Sequence, residues 1–132
     1  MNSIPDEAIP LLEGRHLANL ATVMSDGSPQ VTPVWIDHDG DILVINTVEG
    51  RIKERNFSRD PRVAVSIHDA ERPYEPLTIR GRVIEATRDG AVEHINALSK
   101  RYIGEDPYPF GQPGDQRLIV RIEPDQISYG LP

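Results

Sequence analysis

The chain of 132 residues contains no cysteine. That excludes a disulfide framework, a thiolate nucleophile and any cysteine-based metal site. Lysine is almost missing: Lys53 and Lys100 stand against twelve arginines, a bias that points to a GC-rich genome. No apolar run approaches the roughly 20 residues that cross a bilayer. The opening MNSIPDEAIP is acidic and lacks the basic and apolar regions of a secretory signal. The expectation is a cytoplasmic protein with no membrane partner. Positive charge is also in deficit, with a net charge of −7 and a pI near 5.0. This weighs against broad nucleic-acid binding, which needs many phosphate contacts, but leaves room for a local basic patch that grips one small anion.

Several chemistries are missing as motifs. His16, His38, His68 and His94 are scattered, and no pair has a helical ligand spacing, so no metal site is expected. No G-x-S-x-G elbow supports a serine hydrolase. Neither G-x-G-x-x-G nor G-x-x-x-x-G-K-[ST] occurs, so no Rossmann or P-loop phosphate cradle is written here. The segment DHDGD, residues 37–41, is too short for a calcium loop and lacks the later Glu; a turn is its expected structure. No side chain stands out as nucleophile or general base, and no catalytic residue is named. An enzyme built on this chain would take its reactive atoms from a bound cofactor.

What is present reads as one domain over residues 1–132, with several short strands and a few helices. A first helix lies in PDEAIPLLEG, with Asp6 as its cap, Pro10 among the positions that need no N–H partner, and Gly14 as its stop. Strands follow at HLANLATVM and QVTPVWI, around the Asp26-Gly27 turn. Pro33 cannot donate to a ladder, which places the second strand at an edge or interrupts it. ILVIN is apolar on both faces, as in a strand covered on both sides. RVAVSI and LTIRGRVIEAT are further strands, and Gly81 marks a bulge or bend. In DGAVEHINALSKRYIG, Ala91, Ile95, Leu98 and Tyr102 share one helical face; Asp89 is the expected cap and Gly104 the end. The Pro/Gly-rich EDPYPFGQPGDQ is a loop able to fold over something, and RLIVRIEP and QISYG are the last strands. The pattern implies a small β-barrel of α+β character.

Against the acidic total, EGRIKERNFSRDPR, residues 49–62, is conspicuously basic. One reading is a solvated helix in which Glu54 and Asp60 interleave with arginines. The other starts from Arg51 and Lys53 at the expected helix start near Gly50, where cations oppose the helix dipole unless an anion lies nearby. Asn46 and Thr47 add hydrogen-bonding side chains beside the helix entrance, and Lys53 and Asn56 are spaced i, i+3 on the helix. Free amides, a hydroxyl and two cations make a phosphate site.

GSPQVTPVWID, LVINTVEGRIKERNFSRDPRVAVSIHD, IRGRVIEA and the terminal ISYGLP resemble, in order and spacing, the pyridoxamine 5′-phosphate oxidase-like split β-barrel superfamily. Within it the chain most resembles the actinobacterial flavin/deazaflavin oxidoreductase B group, which uses coenzyme F420. The resemblance implies a mainly β split barrel, FMN-binding-like, assembled as a homodimer with cofactor between subunits. It places the cofactor phosphate against Asn46, Thr47, Arg51, Ile52, Lys53 and Asn56, and the ring along Gln30, Thr32, Pro33 and Val34. Tyr74 and Tyr129 become candidate walls of a substrate pocket. Trp35 is a core or dimer-interface aromatic in its own right. Arg55 and Arg59 either steer the acidic glutamyl tail or are solvated. The implied activity is hydride transfer from reduced F420 to a conjugated small molecule. The alternatives are an FMN-binding flavoprotein of the same superfamily, or a noncatalytic F420 carrier. Pyridoxamine 5′-phosphate oxidation itself is disfavoured, because the chain stops at YGLP without the Arg- and His-bearing segment that binds that substrate.

Overall fold

The computed structural model describes residues 3–131; Met1, Asn2 and Pro132, the last residue of YGLP, lie outside the described residues. The chain opens with a 3-10 turn, Asp6–Ala8, that runs into α1, Ile9–Glu13. Asp6 is not the cap: it lies inside the turn, Pro5 precedes it, and no side chain caps it. Pro10 sits in the first turn of α1, where its missing N–H removes no hydrogen bond.

Seven strands follow: β1 Ala18–Val23, β2 Pro29–Val34, β3 Asp37–Asp39, β4 Ile42–Val48, β5 Arg62–Asp69, β6 Arg72–Thr87 and β7 Arg117–Tyr129. They form one antiparallel sheet in the order β2-β1-β5-β6-β7-β4-β3. Pro33 indeed lies on an edge strand, paired only with β1 opposite Asn19. DHDGD is not simply a turn, because Asp37–Asp39 pairs with β4 before Gly40 reverses the chain. RLIVRIEP and QISYG are not separate strands but the two halves of β7. β6 bends where its register against β7 shifts between Arg80 and Gly81. A Cβ at Gly81 would collide with the Glu123 carbonyl, so only glycine permits the close approach.

The sheet order explains why this is a split barrel. β2 and β3 are its two opposite edges, yet only residues 35 and 36 separate them in the chain. Three virtual bonds span at most about 11 Å, so the sheet must curl until its edges nearly meet. Ile36 stands in that seam with no exposed surface. The curled interior is filled by Leu20, Leu43, Ile45, Ile67, Leu77 and Val120, among others.

Two helices sit near the seam. α2 spans Ile52–Arg59 and α3 spans Ala91–Ile103. The expected face of α3 is buried: Ala91, Ile95, Leu98 and Tyr102 all point into the protein, and Gly104 ends the helix at a φ of 73°. Asp89 does not cap it, since Gly90 takes the cap position with a left-handed backbone and no side chain caps the helix. α3 clamps the seam through its side chains. The Ile36 N–H donates to the Tyr102 hydroxyl at 3.0 Å, and that hydroxyl donates to the His16 carbonyl at 2.7 Å. Arg101 donates to the Ile36 carbonyl. Both polar groups of a buried backbone unit are thereby satisfied.

Candidate functional site

Between the seam and the start of α2 lies a cavity of about 220 Å³, lined by Pro33, Val34, Trp35, Asn46, Thr47, Arg51, Lys53, Tyr108 and Arg117, with Leu17, Ile95 and Leu98. Its polar end is built locally. β4 ends at Val48, a turn through Gly50 (φ 95°) follows, and α2 begins with Arg51 as N-cap. No side chain caps this end. The first helical bond is from the Arg55 N–H to the Arg51 carbonyl at 3.0 Å, which leaves the amides of the first turn without intrahelical partners. Glu54 turns back to accept from the Gly50 N–H at 2.7 Å and from the Ser58 hydroxyl at 2.6 Å, so its charge is engaged outside the cavity.

Among the described residues three cations reach the lining, and no carboxylate does. Lys53 is half-buried, and its ammonium is held below the usual lysine range, first by burial and then by repulsion from Arg51. Arg117 arrives from the first residue of β7. Its guanidinium lies 4.7 Å from the ring centroid of Tyr108 and donates through Nη1 to Asn46 Oδ1 at 3.3 Å. Its Nη2 is buried with no hydrogen-bond partner among the described residues. A buried guanidinium nitrogen without an acceptor is costly to maintain, and an anion that reached it would relieve that cost.

The apolar wall is aromatic. Trp35 stacks on Tyr102 at 5.2 Å with an interplanar angle of 9°, and meets Tyr108 edge-on at 5.8 Å. The Pro/Gly-rich loop does fold over something: it carries Tyr108 across the cavity, tied down by the Tyr108 N–H donating to Asn96 Oδ1 at 2.9 Å.

Of the residues expected from sequence, Pro33, Val34, Asn46, Thr47, Arg51 and Lys53 are brought together here. Ile52 is exposed beside the cavity without lining it. Asn56 faces away from Lys53, contrary to the i, i+3 expectation. It is buried and donates to Thr22 Oγ1 at 3.0 Å, because that side of α2 packs on β1. Gln30 lies near Thr22 Oγ1 at 3.4 Å, and the hydroxyl of Thr32 is buried without a partner; neither lines the cavity. Tyr74 is 75% exposed on β6, and Tyr129 flanks a separate crevice with Glu7, His16 and Arg72. Sequence reasoning missed Arg117 and Tyr108 as site residues. The loop's composition marked it as a cover, but nothing local singles out Arg117. Among the described residues no cluster of His, Asp or Glu could hold a metal ion, and no helix is long and apolar enough to cross a membrane.

A curled antiparallel sheet split at one seam is the split-barrel architecture. The chain belongs to the pyridoxamine 5′-phosphate oxidase family, whose model matches residues 4–130. It is 28% identical over 131 residues to an F420H(2)-dependent biliverdin reductase of Mycobacterium tuberculosis (strain CDC 1551 / Oshkosh), covering 94% of this chain and 86% of that protein. It superimposes on a solved F420 reductase with a TM-score of 0.82 and 34% identity, over 95% of this chain and 98% of that one. A Listeria innocua structure described as a putative pyridoxamine 5′-phosphate oxidase shares the fold, with a TM-score of 0.71 at 22% identity over 94% and 95% of the two chains.

Proposed function

We propose that the protein is an F420-dependent oxidoreductase that reduces a conjugated organic acceptor. The observation that carries this reading is the cavity of Arg51, Lys53 and Arg117, free of carboxylates and set at the open end of α2. These residues fit the phosphate of the coenzyme. The first-turn amides and two cations supply charge-assisted donors, and the orphaned Nη2 of Arg117 supplies one more. Pro33, Val34 and Trp35 offer an apolar strip beside them for the start of the ring system. The kinship with an F420H(2)-dependent biliverdin reductase and with an F420 reductase favours F420 over FMN.

Reduced F420, when bound, supplies a hydride, and a proton from solvent or a protein group completes reduction of the acceptor. The chain's own task is to hold donor and acceptor carbons roughly 3–3.5 Å apart and to keep water from the ring. Thr47, Asn46 and Tyr108 are uncharged polar groups in the lining, and Tyr108 brings a hydroxyl to the aromatic wall. Conjugated enones, quinones and tetrapyrroles are the acceptor classes to test.

A volume of about 220 Å³ is below the roughly 300–1,000 Å³ of pockets that enclose a whole drug-sized ligand. One chain therefore holds part of the coenzyme, and we propose a homodimer that covers the rest. The outer face of β1, β5, β6 and β7 suits a second copy. It is concave, it carries short side chains at Ala21, Ala64, Ser66, Thr78 and Ser128, and it is bordered by Val31, which is 62% exposed.

Titration of the purified protein with F420 and with FMN tests the cofactor, and oxidation of F420H2 against a panel of the three acceptor classes tests the activity. Tight FMN binding with none for F420 would overturn the assignment. Binding of F420 without turnover on any acceptor would favour a carrier, a reading supported by the lack of any carboxylic acid or histidine in the lining. Sedimentation equilibrium tests the dimer.

A further inference from the structure

His94 lies outside the cavity, yet a chain of hydrogen bonds connects it to the cavity's buried arginine. The amide of Asn46 has its orientation set by two partners. Its nitrogen donates to the Ala91 carbonyl at 2.8 Å, and its oxygen accepts from Arg117 Nη1 at 3.3 Å. The same nitrogen lies 3.2 Å from His94 Nδ1. An amide nitrogen has only protons to offer, so Nδ1 must accept and the imidazole proton must sit on Nε2. Nε2 in turn lies 3.2 Å from Asp37 Oδ2. That carboxylate is suited to receive it. Burial raises its pKa, but the bonds from His94 and the His38 N–H, with Arg101 3.7 Å away, outweigh burial and keep it ionised.

We propose that His94 is a positioning residue for anion binding: through Asn46 it aims Arg117 into the cofactor cavity. The elements involved are far apart in the chain. Asp37 is on β3, His94 on α3, Asn46 on β4 and Arg117 on β7. Without His94, one proton of Asn46 loses its acceptor and the amide nitrogen keeps only the Ala91 carbonyl. Asn46 Oδ1 is then less firmly aimed at Arg117 Nη1, and the guanidinium depends more on its stacking on Tyr108. Outer groups that orient an inner ligand-binding group commonly control its affinity in this way. The inference rests on the reading of the cavity as the seat of an anionic cofactor group.

The test uses two probes, F420 and inorganic pyrophosphate, each titrated calorimetrically into the full-length protein. His94→Leu should weaken both by about 3- to 30-fold, within the range of couplings between groups in one network. His94→Gln should restore affinity to within about threefold, because its amide can accept from Asn46 and donate to Asp37. In an Arg117→Ala background, His94→Leu should change affinity less than about twofold, since the residue it positions is gone. An equal loss with or without Arg117 would mark His94 as merely structural and overturn the proposal, as would failure of a folded His94→Gln variant to rescue. Should His94→Leu not fold, the comparison of His94→Gln with Asn46→Ala, with and without Arg117, decides the same point. If F420 does not bind but pyrophosphate affinity still follows His94 through Arg117, the proposed function falls and the positioning role stands. If F420 binds and neither probe responds to residue 94, the reverse holds.

Discussion

Two concave regions of this molecule both carry arginine, and they differ in what the arginines face. The groove on the outer sheet face is the larger, at about 560 Å³ along its β1–β5–β6 stretch, and of its charged lining residues Arg62 and Asp125 are ion-paired while Arg80 is exposed to solvent. Arg62 forms a 2.7 Å ion pair with Asp60, whose pKa is pulled down to about 2 chiefly by that hydrogen bond. Asp125 there is paired with Arg82. The cavity at the seam has less than half the volume, and its Arg51, Lys53 and Arg117 meet no carboxylate in the lining. Volume is therefore a poor guide to an anion site. A cavity that gathers three cations with no carboxylate, two of them partly buried and one with an orphaned guanidinium nitrogen, has stored the demand for a ligand. A groove whose arginine and aspartate are ion-paired has met much of it internally.

The largest expected effect sharpens this contrast. Lys53→Ala should weaken F420 binding by about 1.5–3 kcal/mol, roughly 10- to 150-fold, as for loss of a charge-assisted hydrogen bond, with folding stability changed by only about 0.5 kcal/mol. Arg62→Ala, at an ion-paired arginine of the outer groove, should change affinity by less than about threefold. Equal losses in fluorescence titrations would erase the distinction between the two regions. The groove responds to a different insult. Gly81→Ala should lower stability by about 1–3 kcal/mol in urea unfolding, because the new methyl meets the Glu123 carbonyl; a neutral result would mean that the sheet bends there for another reason.

A smaller effect concerns pH. Lys53 in the free protein titrates below its ordinary value of 10.5, and a bound anion raises it again. Binding then takes up protons, so affinity falls as pH rises through the lowered value toward 10.5, while the free protein gains stability over the same window because a disfavoured charge is removed. Lys53→Met should flatten the affinity profile; an unchanged slope would detach Lys53 from the anion. The smallest effect lies away from both regions. His38 bridges the Gly40 carbonyl at 2.9 Å and Glu13 at 2.8 Å. Burial lowers its pKa, but these partners outweigh it and raise the value above 6.5. The stabilisation is complete below that ordinary value and is lost as pH rises through the raised one. His38→Ala should therefore reduce stability by up to about 1 kcal/mol near pH 5.5 and by less near pH 8.5, measured by thermal unfolding; a constant difference would mean that only packing is lost.

The legible parts of this protein were those encoded over short distances. Pro33 announces an edge because a ring without an N–H cannot serve an inner strand. Gly81 announces a bend, and the Ala91–Ile95–Leu98–Tyr102 stripe fixes which side of α3 is buried. Arg51 and Lys53 stand out because their charge opposes a dipole only a few residues away. The misreadings have the opposite character. Asp6 and Asp89 have the right chemistry for caps, but the backbone places Pro5 and Gly90 at those positions. Asn56 is spaced correctly to join Lys53, but its side chain is drawn inward by Thr22, which is 34 residues away. Gln30 and Thr32, placed along the ring on resemblance, share the face of β2 that carries Val34 but lie further along the strand, outside the lining of the cavity in one chain.

The linear chain alone determined the kind of protein: mostly β, free of metal and thiol motifs, with a cationic helix entrance in an acidic whole. Those properties come from composition and from neighbours within a turn or a strand. Only the folded sheet decided which residues share the cavity. Its two edges are joined by residues 35 and 36, and curling brings β4 and β7 beside α3. The β4–β7 ladder, which sets Val48 opposite Arg117, is how Arg117 comes to lie 71 residues from Asn46 in sequence and at hydrogen-bonding distance in space. No local pattern encodes such a pairing, because it is the register of two strands distant in the chain, and not the affinity of the two side chains for each other, that brings them together.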